Sequence, residues 1–236
     1  MSATIFLAGA TGAIGRRLTP LLLRAGYAVH GLTREAAKAR ELEVCGVRAV
    51  VADIFDAAAI GDALLAIKPA IVVHQLTDLP HTLAAWESAT PETQARNARI
   101  RIEGTQNLVT AALACGAGSI VSQSIAFVYA PGPEPHVETD PLDPARDSVI
   151  TLERLTLESP PLAGAVLRFG TLYGPGTWYA EPTGNVPVHV DAAAWATLLA
   201  MEQGATGIFN IGEERGYASS ARARDVLGWG DDLRLE

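Results

Sequence analysis

The segment Gly9-Ala10-Thr11-Gly12-Ala13-Ile14-Gly15 constrains this chain more than any other. It follows the apolar run Thr4 to Ala8 and leads straight into Arg16-Arg17-Leu18-Thr19-Pro20-Leu21-Leu22-Leu23. Glycines at the first, fourth and seventh positions of a strand-to-helix turn allow a tight bend, close backbone approach to a pyrophosphate, and close packing of the helix on its strand. A second apolar run, Ala28 to Leu32, follows soon after. The segment therefore reads as the opening βαβ unit of a nucleotide-binding sheet, with Gly9, Thr11, Gly12, Ala13, Ile14 and Gly15 as the expected cofactor loop.

Further short β-branched runs, Val47 to Ala52, Ala70 to His74, Ser119 to Gln123 and Ala165 to Phe169, alternate with longer alanine- and leucine-rich stretches. Strands alternating with helices at this pitch give an α/β fold, a doubly wound parallel sheet whose apolar strands are buried on both faces. Thr90-Pro91-Glu92 supplies a cap residue, a proline at the first helical position and an early acid, opening a long helix that ends near Cys115-Gly116. Prolines 131, 133, 135, 141 and 144 turn the stretch after the fifth strand into a loop, and a second loop runs from Tyr173-Gly174-Pro175-Gly176 to Thr183-Gly184.

The 236 residues fit one large domain, or a domain with a small appendage, that needs no disulfide or metal staple. A net charge of −8 with only two lysines, Lys38 and Lys68, leaves no footprint for phosphate backbones, so nucleic acid and anionic membrane are not expected partners. Cys45 and Cys115 share no C-x-x-C spacing and are expected as small buried hydrophobes in a reducing compartment. The stretch Met1 to Leu7 lacks a basic leader and turns glycine-rich at once, so neither signal peptide nor membrane span is expected and the location is read as cytoplasmic.

A cofactor with a bare ribose usually meets an acid at the end of the second strand, roughly 20 residues beyond the loop. Here that strand runs out through Gly31-Leu32-Thr33-Arg34. A cation there suits a 2′-phosphate, so NADP(H) is favoured over NAD(H), with the adjacent Glu35 favouring a solvated arginine instead. Arg16 and Arg17 stand at a helix N-terminus, where the macrodipole disfavours cations; a bound phosphate or salt bridges to surface acids would offset that.

These residues resemble the short-chain dehydrogenase/reductase superfamily, in its extended or atypical branch, the NAD-dependent epimerase/dehydratase family. Gly9 to Gly15 is similar to its GxxGxxG loop, Val51-Ala52-Asp53-Ile54 to its third-strand acid, and Val73-His74-Gln75-Leu76 to the segment that passes the cofactor ribose. Glu103-Gly104-Thr105-Gln106-Asn107-Leu108 resembles its helix-four signature, and Ser122-Gln123-Ser124 with Val128-Tyr129 its catalytic serine strand. The order is completed by Leu167-Arg168-Phe169-Gly170, Tyr173-Gly174-Pro175-Gly176, Val188-His189-Val190-Asp191 and Gly207 to Gly212. The resemblance implies a Rossmann domain over residues 1–170 and a small, truncated substrate-binding region over 171–236, interleaved with the last strands and helices of the same globule. It implies that Asp53 and Ile54 flank the adenine, that Gln75 and Leu76 pass the ribose, and that helices four and five mediate a homodimer around a small-molecule site. Ser124, at a strand's carboxyl end where doubly wound sheets bind ligands, would orient a substrate oxygen.

One feature of that family is missing. Hydride transfer at an alcohol needs a group to exchange the hydroxyl proton, and the family uses Tyr-x-x-x-Lys, whose lysine lowers the tyrosine's pKa. Four positions after Tyr27, Tyr129, Tyr173, Tyr179 and Tyr217 stand Gly31, Pro133, Thr177, Thr183 and Ala221. With Glu153 placed on the family's helix-five glutamate, the pair falls on Ala145 and Val149. Replacement acids and bases come from His74, His81, His136, Glu138, Tyr129 or Tyr179, with His81 and His136 best placed on loops at the sheet's carboxyl edge; His74 reads as a satisfied core residue. No histidine spacing suits a metal. Three readings follow: an NADP(H)-dependent oxidoreductase or epimerase with a different proton relay through Ser124, Tyr129, His81 or His136; a non-redox isomerase, cyclase or dehydratase that orients a reactive substrate; or a non-catalytic sensor or scaffold with no functional nucleotide.

Overall fold

A computed structural model describes residues 3–80 and 82–235. The elements run β1 (Thr4–Ala8), α1 (Ala13–Arg24), β2 (Ala28–Thr33), α2 (Ala36–Val44), β3 (Arg48–Val51), α3 (Ala57–Ile67), β4 (Ile71–His74), α4 (Leu83–Glu87) and α5 (Pro91–Arg99). A π-turn (Ile100–Gly104) joins α5 to α6 (Thr105–Cys115), followed by β5 (Ser119–Ile125), a 3₁₀ turn (Pro144–Arg146), α7 (Asp147–Leu157) and β6 (Ala163–Phe169). The chain closes with β7 (Thr171–Tyr173), β8 (Pro187–His189), α8 (Val190–Glu202), β9 (Gly207–Ile211) and α9 (Ala221–Leu227).

Seven strands form one sheet in the order β3-β2-β1-β4-β5-β6-β9, parallel throughout. Side chains alternate across it: Ile5 and Leu7 join the core under α1, α2 and α8, while Phe6 and Ala8 join the core under α3 and α6. This is the doubly wound α/β sheet read from the sequence. β9 is the seventh strand of that sheet, and only β7 and β8 stand apart, as a parallel pair.

Two expectations are corrected. β3 is shorter than residues 47–52 because it is an edge strand whose ladder ends at Thr33↔Val51, leaving Val51 55% exposed. Cys45 is exposed and Cys115 half-buried, so neither is a core hydrophobe; Cys45 caps the end of α2, beyond the face that carries Leu42 inward.

The long helix begins as its sequence indicates, with the Thr90 hydroxyl accepting from Thr93 N–H, and stops at Gly116, whose φ of +76° suits glycine. What periodicity does not reveal is the π-turn, where Thr105 N–H bonds Ile100 O. There Gly104 packs closely, since a Cβ would stand 3.2 Å from the Ile54 side chain, which would have to give by a few tenths of an ångström.

His74 lies inside this packing, fully buried, its Nε2 2.9 Å from Thr105 Oγ1 and its Nδ1 accepting from Leu76 N–H at 3.3 Å. Burial pushes its pKa from 6.5 down to about 4. The unfolded chain takes up this proton first, so the stability is complete above pH 6.5 and is lost as pH falls toward 4. Linkage sets the loss at up to about 3 kcal/mol. Urea denaturation at pH 7 and 4.5 should show it, with a shallower acid slope in His74→Gln; identical slopes would refute the assignment.

Candidate functional site

The glycine loop owes its shape to two close approaches. Gly9 adopts φ +94°, and a Cβ there would stand 2.5 Å from the Gln75 carbonyl oxygen; a Cβ on Gly15 would stand 2.1 Å from the Gly9 carbonyl oxygen. Gly12 differs: it is exposed, its N–H bonds Gly9 O at 3.0 Å, and a Cβ would meet only that oxygen, at 3.3 Å. No side chain caps the N-terminus of α1 and no acid occupies its first turn. Backbone amides, a helix dipole and an exposed glycine at the helix N-terminus fit a pyrophosphate. Thr11, Ala13 and Ile14 belong to the same turn, and Arg16 donates to Thr11 O at 3.0 Å.

Arg17 takes a different course from the phosphate contact weighed for it. It forms a bidentate pair with Asp191 of α8, a buried acid, and also donates to Leu235 O. Long-range packing of α1 on α8 turns it away from the loop, which sequence spacing alone does not disclose.

At the far end of the loop, Arg34 follows β2 with its side chain 57% exposed, 3.7 Å from Asp78. Glu35 bonds Lys38 at 2.7 Å. Asp53 closes a turn by accepting from Phe55 N–H, and Ile54 is buried with its carbonyl accepting from Asn107. Gln75 and Leu76 follow β4 and pass beside Gly9; the Gln75 side chain is buried toward Thr197 of α8 with its Oε1 unpaired, and Leu76 O accepts from Gln123.

The end of β5 leads into a buried polar network. Ser124 donates to Glu153 Oε1 at 2.6 Å, and Glu153 receives Arg168 in a two-point pair, at 2.9 and 2.7 Å. Arg168, 1% exposed, also donates to Tyr129 Oη at 2.9 Å and to Glu138 O, and Tyr129 donates to Asn210 Oδ1 at 2.7 Å. Burial opposes the charge on Arg168, yet the bonds to Glu153 hold its pKa above the ordinary value. Burial, over the opposing pull of Arg168, raises that of Tyr129. His136 stacks on the Tyr129 ring at 4.7 Å and pairs with Asp140 at 3.0 Å, itself buried. Ser124, Tyr129 and His136 thus meet as parts of one scaffold around Arg168, directed inward. Asn210, missed in the sequence, carries no signal there beyond its place in a strand. His81 lies outside the described residues.

Beside this network, the aligned dyad positions hold Ala145 in the 3₁₀ turn and Val149, 2% exposed, packed among Ala126, Val128, Tyr129 and Val186. Neither titrates. Arg146 follows Ala145 at the head of α7, and the π-turn that carries Arg101 packs on α7. The phenyl ring of Phe127 lies 5.9 Å from that of Tyr217. Across the sheet's carboxyl edge, Trp178 of the loop after β7 stacks on Trp86 of α4 at 5.7 Å and donates to Pro80 O. Among the described residues no group of three His, Cys, Asp or Glu side chains could hold a metal ion, and no helix is long and apolar enough to cross a membrane.

The NAD dependent epimerase/dehydratase family matches residues 5–190. A 3-diazoavenalumate denitrifying reductase from Streptomyces sp is 41% identical over 239 aligned positions, covering 89% of this chain and 76% of the relative. A dTDP-4-dehydrorhamnose reductase from Streptomyces griseus is 33% identical over 175 positions, covering 71% of this chain and 49% of that protein, about half its length. Among solved structures, UDP-glucose 4-epimerase from Thermotoga maritima superposes with a TM-score of 0.78 at 18% identity, covering 98% and 94% of the two chains. WbmG from Bordetella bronchiseptica, in complex with NAD, does so at 0.78 and 17%, covering 100% and 91%.

Proposed function

The chain belongs to the NAD dependent epimerase/dehydratase family, and on that premise we propose that it is a nicotinamide-dependent reductase of a small diazo compound, replacing the diazo group by hydride without a protein proton relay. The observation that carries this reading is the pairing of an intact nucleotide loop with Ala145 and buried Val149 at the dyad positions. Reduction of a carbonyl needs a proton at oxygen. Reduction of a diazonium does not: a C–H bond forms, the C–N bond breaks with its electron pair leaving on N₂, and no proton moves. A diazonium also couples to phenolates and amines, so a tyrosine and a lysine at these positions would be trapped by the substrate. The similarity to a denitrifying reductase of a diazo compound supports the same class.

The reduced nicotinamide, when bound, supplies the hydride. The chain's own residues do the rest. The loop Gly9, Thr11, Gly12, Ala13, Ile14 and Gly15 holds the pyrophosphate, Asp53 and Ile54 flank the adenine, and Gln75 and Leu76 place the ribose. Arg34, with Glu35 engaged by Lys38, takes a 2′-phosphate and favours NADPH. Ser124, Tyr129 and His136 act as positioning residues through Arg168 and Glu153, keeping the loop after β5 beside the apolar Val149. Assembly as a homodimer through α6 and α7 belongs to the same reading.

The test is oxidation of NADPH, followed at the nicotinamide band, with an aryldiazonium salt as probe. One N₂ should be released per NADPH oxidised, faster than without protein, and deuterium from labelled cofactor should appear on the carbon that lost nitrogen. Arg34→Ala should weaken NADPH binding about tenfold, or about 1.4 kcal/mol, relative to NADH. Absence of protein-dependent oxidation defeats the reading, and equal losses for the two nucleotides defeat the 2′-phosphate assignment.

A further inference from the structure

The order of the sheet reverses between β1 and β4, because β2 and β3 are added on one side of β1 and β4, β5, β6 and β9 on the other. Doubly wound sheets bind ligands outside the carboxyl ends of their strands, at such a reversal. Ala8, the last residue of β1, is paired with Leu32 of β2 on one side and with His74 of β4 on the other. Arg34 lies shortly beyond Leu32 and Asp78 shortly beyond His74, and their side chains stand 3.7 Å apart. This ion pair therefore reaches across the end of β1, where Gly9 opens the cofactor loop. On its other oxygen Asp78 accepts from Arg96 Nε of α5 at 3.0 Å, so one carboxylate stands between two guanidinium groups.

The carboxylate is the fixed member of the three. Asn97, itself buried, accepts from the Asp78 backbone N–H at 3.0 Å, and the Asp78 side chain is only 22% exposed. The arginine side chains are 57% and 64% exposed, and Arg34 makes no hydrogen bond among the described residues. Exposed ion pairs of this kind are weak. Carboxylate and phosphate present similar oxygen forks to a guanidinium, but a phosphate monoester brings three acceptor oxygens and up to about twice the charge. We propose that Arg34 and Arg96 together bind the 2′-phosphate of the nucleotide, and that Asp78 holds them at its seat in the free protein, so that loading exchanges a carboxylate for a phosphate. A nucleotide with a bare 2′-hydroxyl brings no charge to replace the acid and leaves both pairs closed. The inference rests on the reading of the cofactor as NADPH, and adds to it a second phosphate ligand and a resident competitor.

The experiment titrates the full chain with adenosine 2′,5′-bisphosphate and with adenosine 5′-monophosphate, which differ only in the 2′-phosphate, in the wild type, Arg34→Ala, Arg96→Gln and Asp78→Asn. Arg96→Gln should lose about tenfold in affinity for the bisphosphate, or about 1.4 kcal/mol, and far less for the monophosphate. Asp78→Asn keeps the backbone bond to Asn97 and should bind the bisphosphate about threefold tighter, the gain expected from releasing exposed ion pairs. An acid that merely supports the loop would give the opposite sign, with both nucleotides bound more weakly and Tm lowered. That result, an unaltered bisphosphate affinity in Asp78→Asn, or equal losses for both nucleotides in Arg96→Gln would overturn the proposal. If Arg34→Ala abolishes the preference for the bisphosphate while the other two variants leave it intact, the NADPH reading stands and this proposal falls. If neither the wild type nor Asp78→Asn prefers the bisphosphate, the NADPH reading falls as well.

Discussion

Arg168→Met is expected to lower the unfolding free energy by about 3–5 kcal/mol, the cost of leaving one member of a buried ion pair without its partner. The stranded group is Glu153, 3% exposed, with Ser124 as its remaining hydrogen-bond donor. The same change removes the donor to Tyr129 Oη and the clasp on Glu138 O, so the loop carrying Ala145 should loosen as well. The double variant Arg168→Met/Glu153→Leu should recover most of the loss, since replacing both charges with apolar groups of similar volume is close to neutral. Urea melts of the three variants at pH 7 check this. A single variant that loses less than about 1 kcal/mol would mean that water screens the pair as it does at a surface.

The second large effect is on binding. Gly12→Val should weaken NADPH binding at least about a hundredfold, or about 2.7 kcal/mol, while lowering Tm far less than the same change at Gly9 or Gly15. The asymmetry follows from the three glycines having different neighbours. Gly9 and Gly15 face backbone, at 2.5 and 2.1 Å from a would-be Cβ, so substitution there disrupts the fold itself. A Cβ on Gly12 would press only on the Gly9 carbonyl oxygen, at 3.3 Å, and the rest of an exposed valine would stand where a pyrophosphate belongs. Calorimetric titration with NADPH beside thermal melts reads both quantities. A Gly12→Val protein that binds normally would remove the nucleotide from this loop.

The sheet was legible in the sequence because its strands are buried on both faces and so read as unbroken apolar runs, and because glycine chemistry marks the first turn. The errors fall where neighbours in space decide. Cys45 sits at a helix end beside Val44, an apolar residue left exposed, so local composition misled. For Arg17 the sequence left a phosphate and a surface acid as alternatives, and the partner α8 brings against it is a buried acid, Asp191. Ser124 and His136 lie on the expected strand and loop, but which way a side chain turns depends on Glu153 and Tyr129, distant in sequence. The π-turn at Ile100–Gly104 left no trace, because a regular 3.6-residue period gives no hint of one.

That π-turn bears on how such a chain can diverge. A π-turn is an α-helix that has absorbed one additional residue, with the helical ladder intact on either side. Upstream, Asn97 accepts from the Asp78 backbone N–H; downstream, Leu108 and Val109 sit in the core under α3. Because the offset is confined to residues 100–104, excising one residue there would restore the plain ladder and leave both anchored faces in phase. The chain can therefore gain or lose one residue here without moving either anchored face, whereas the same change elsewhere in a packed helix would throw every downstream contact out of register.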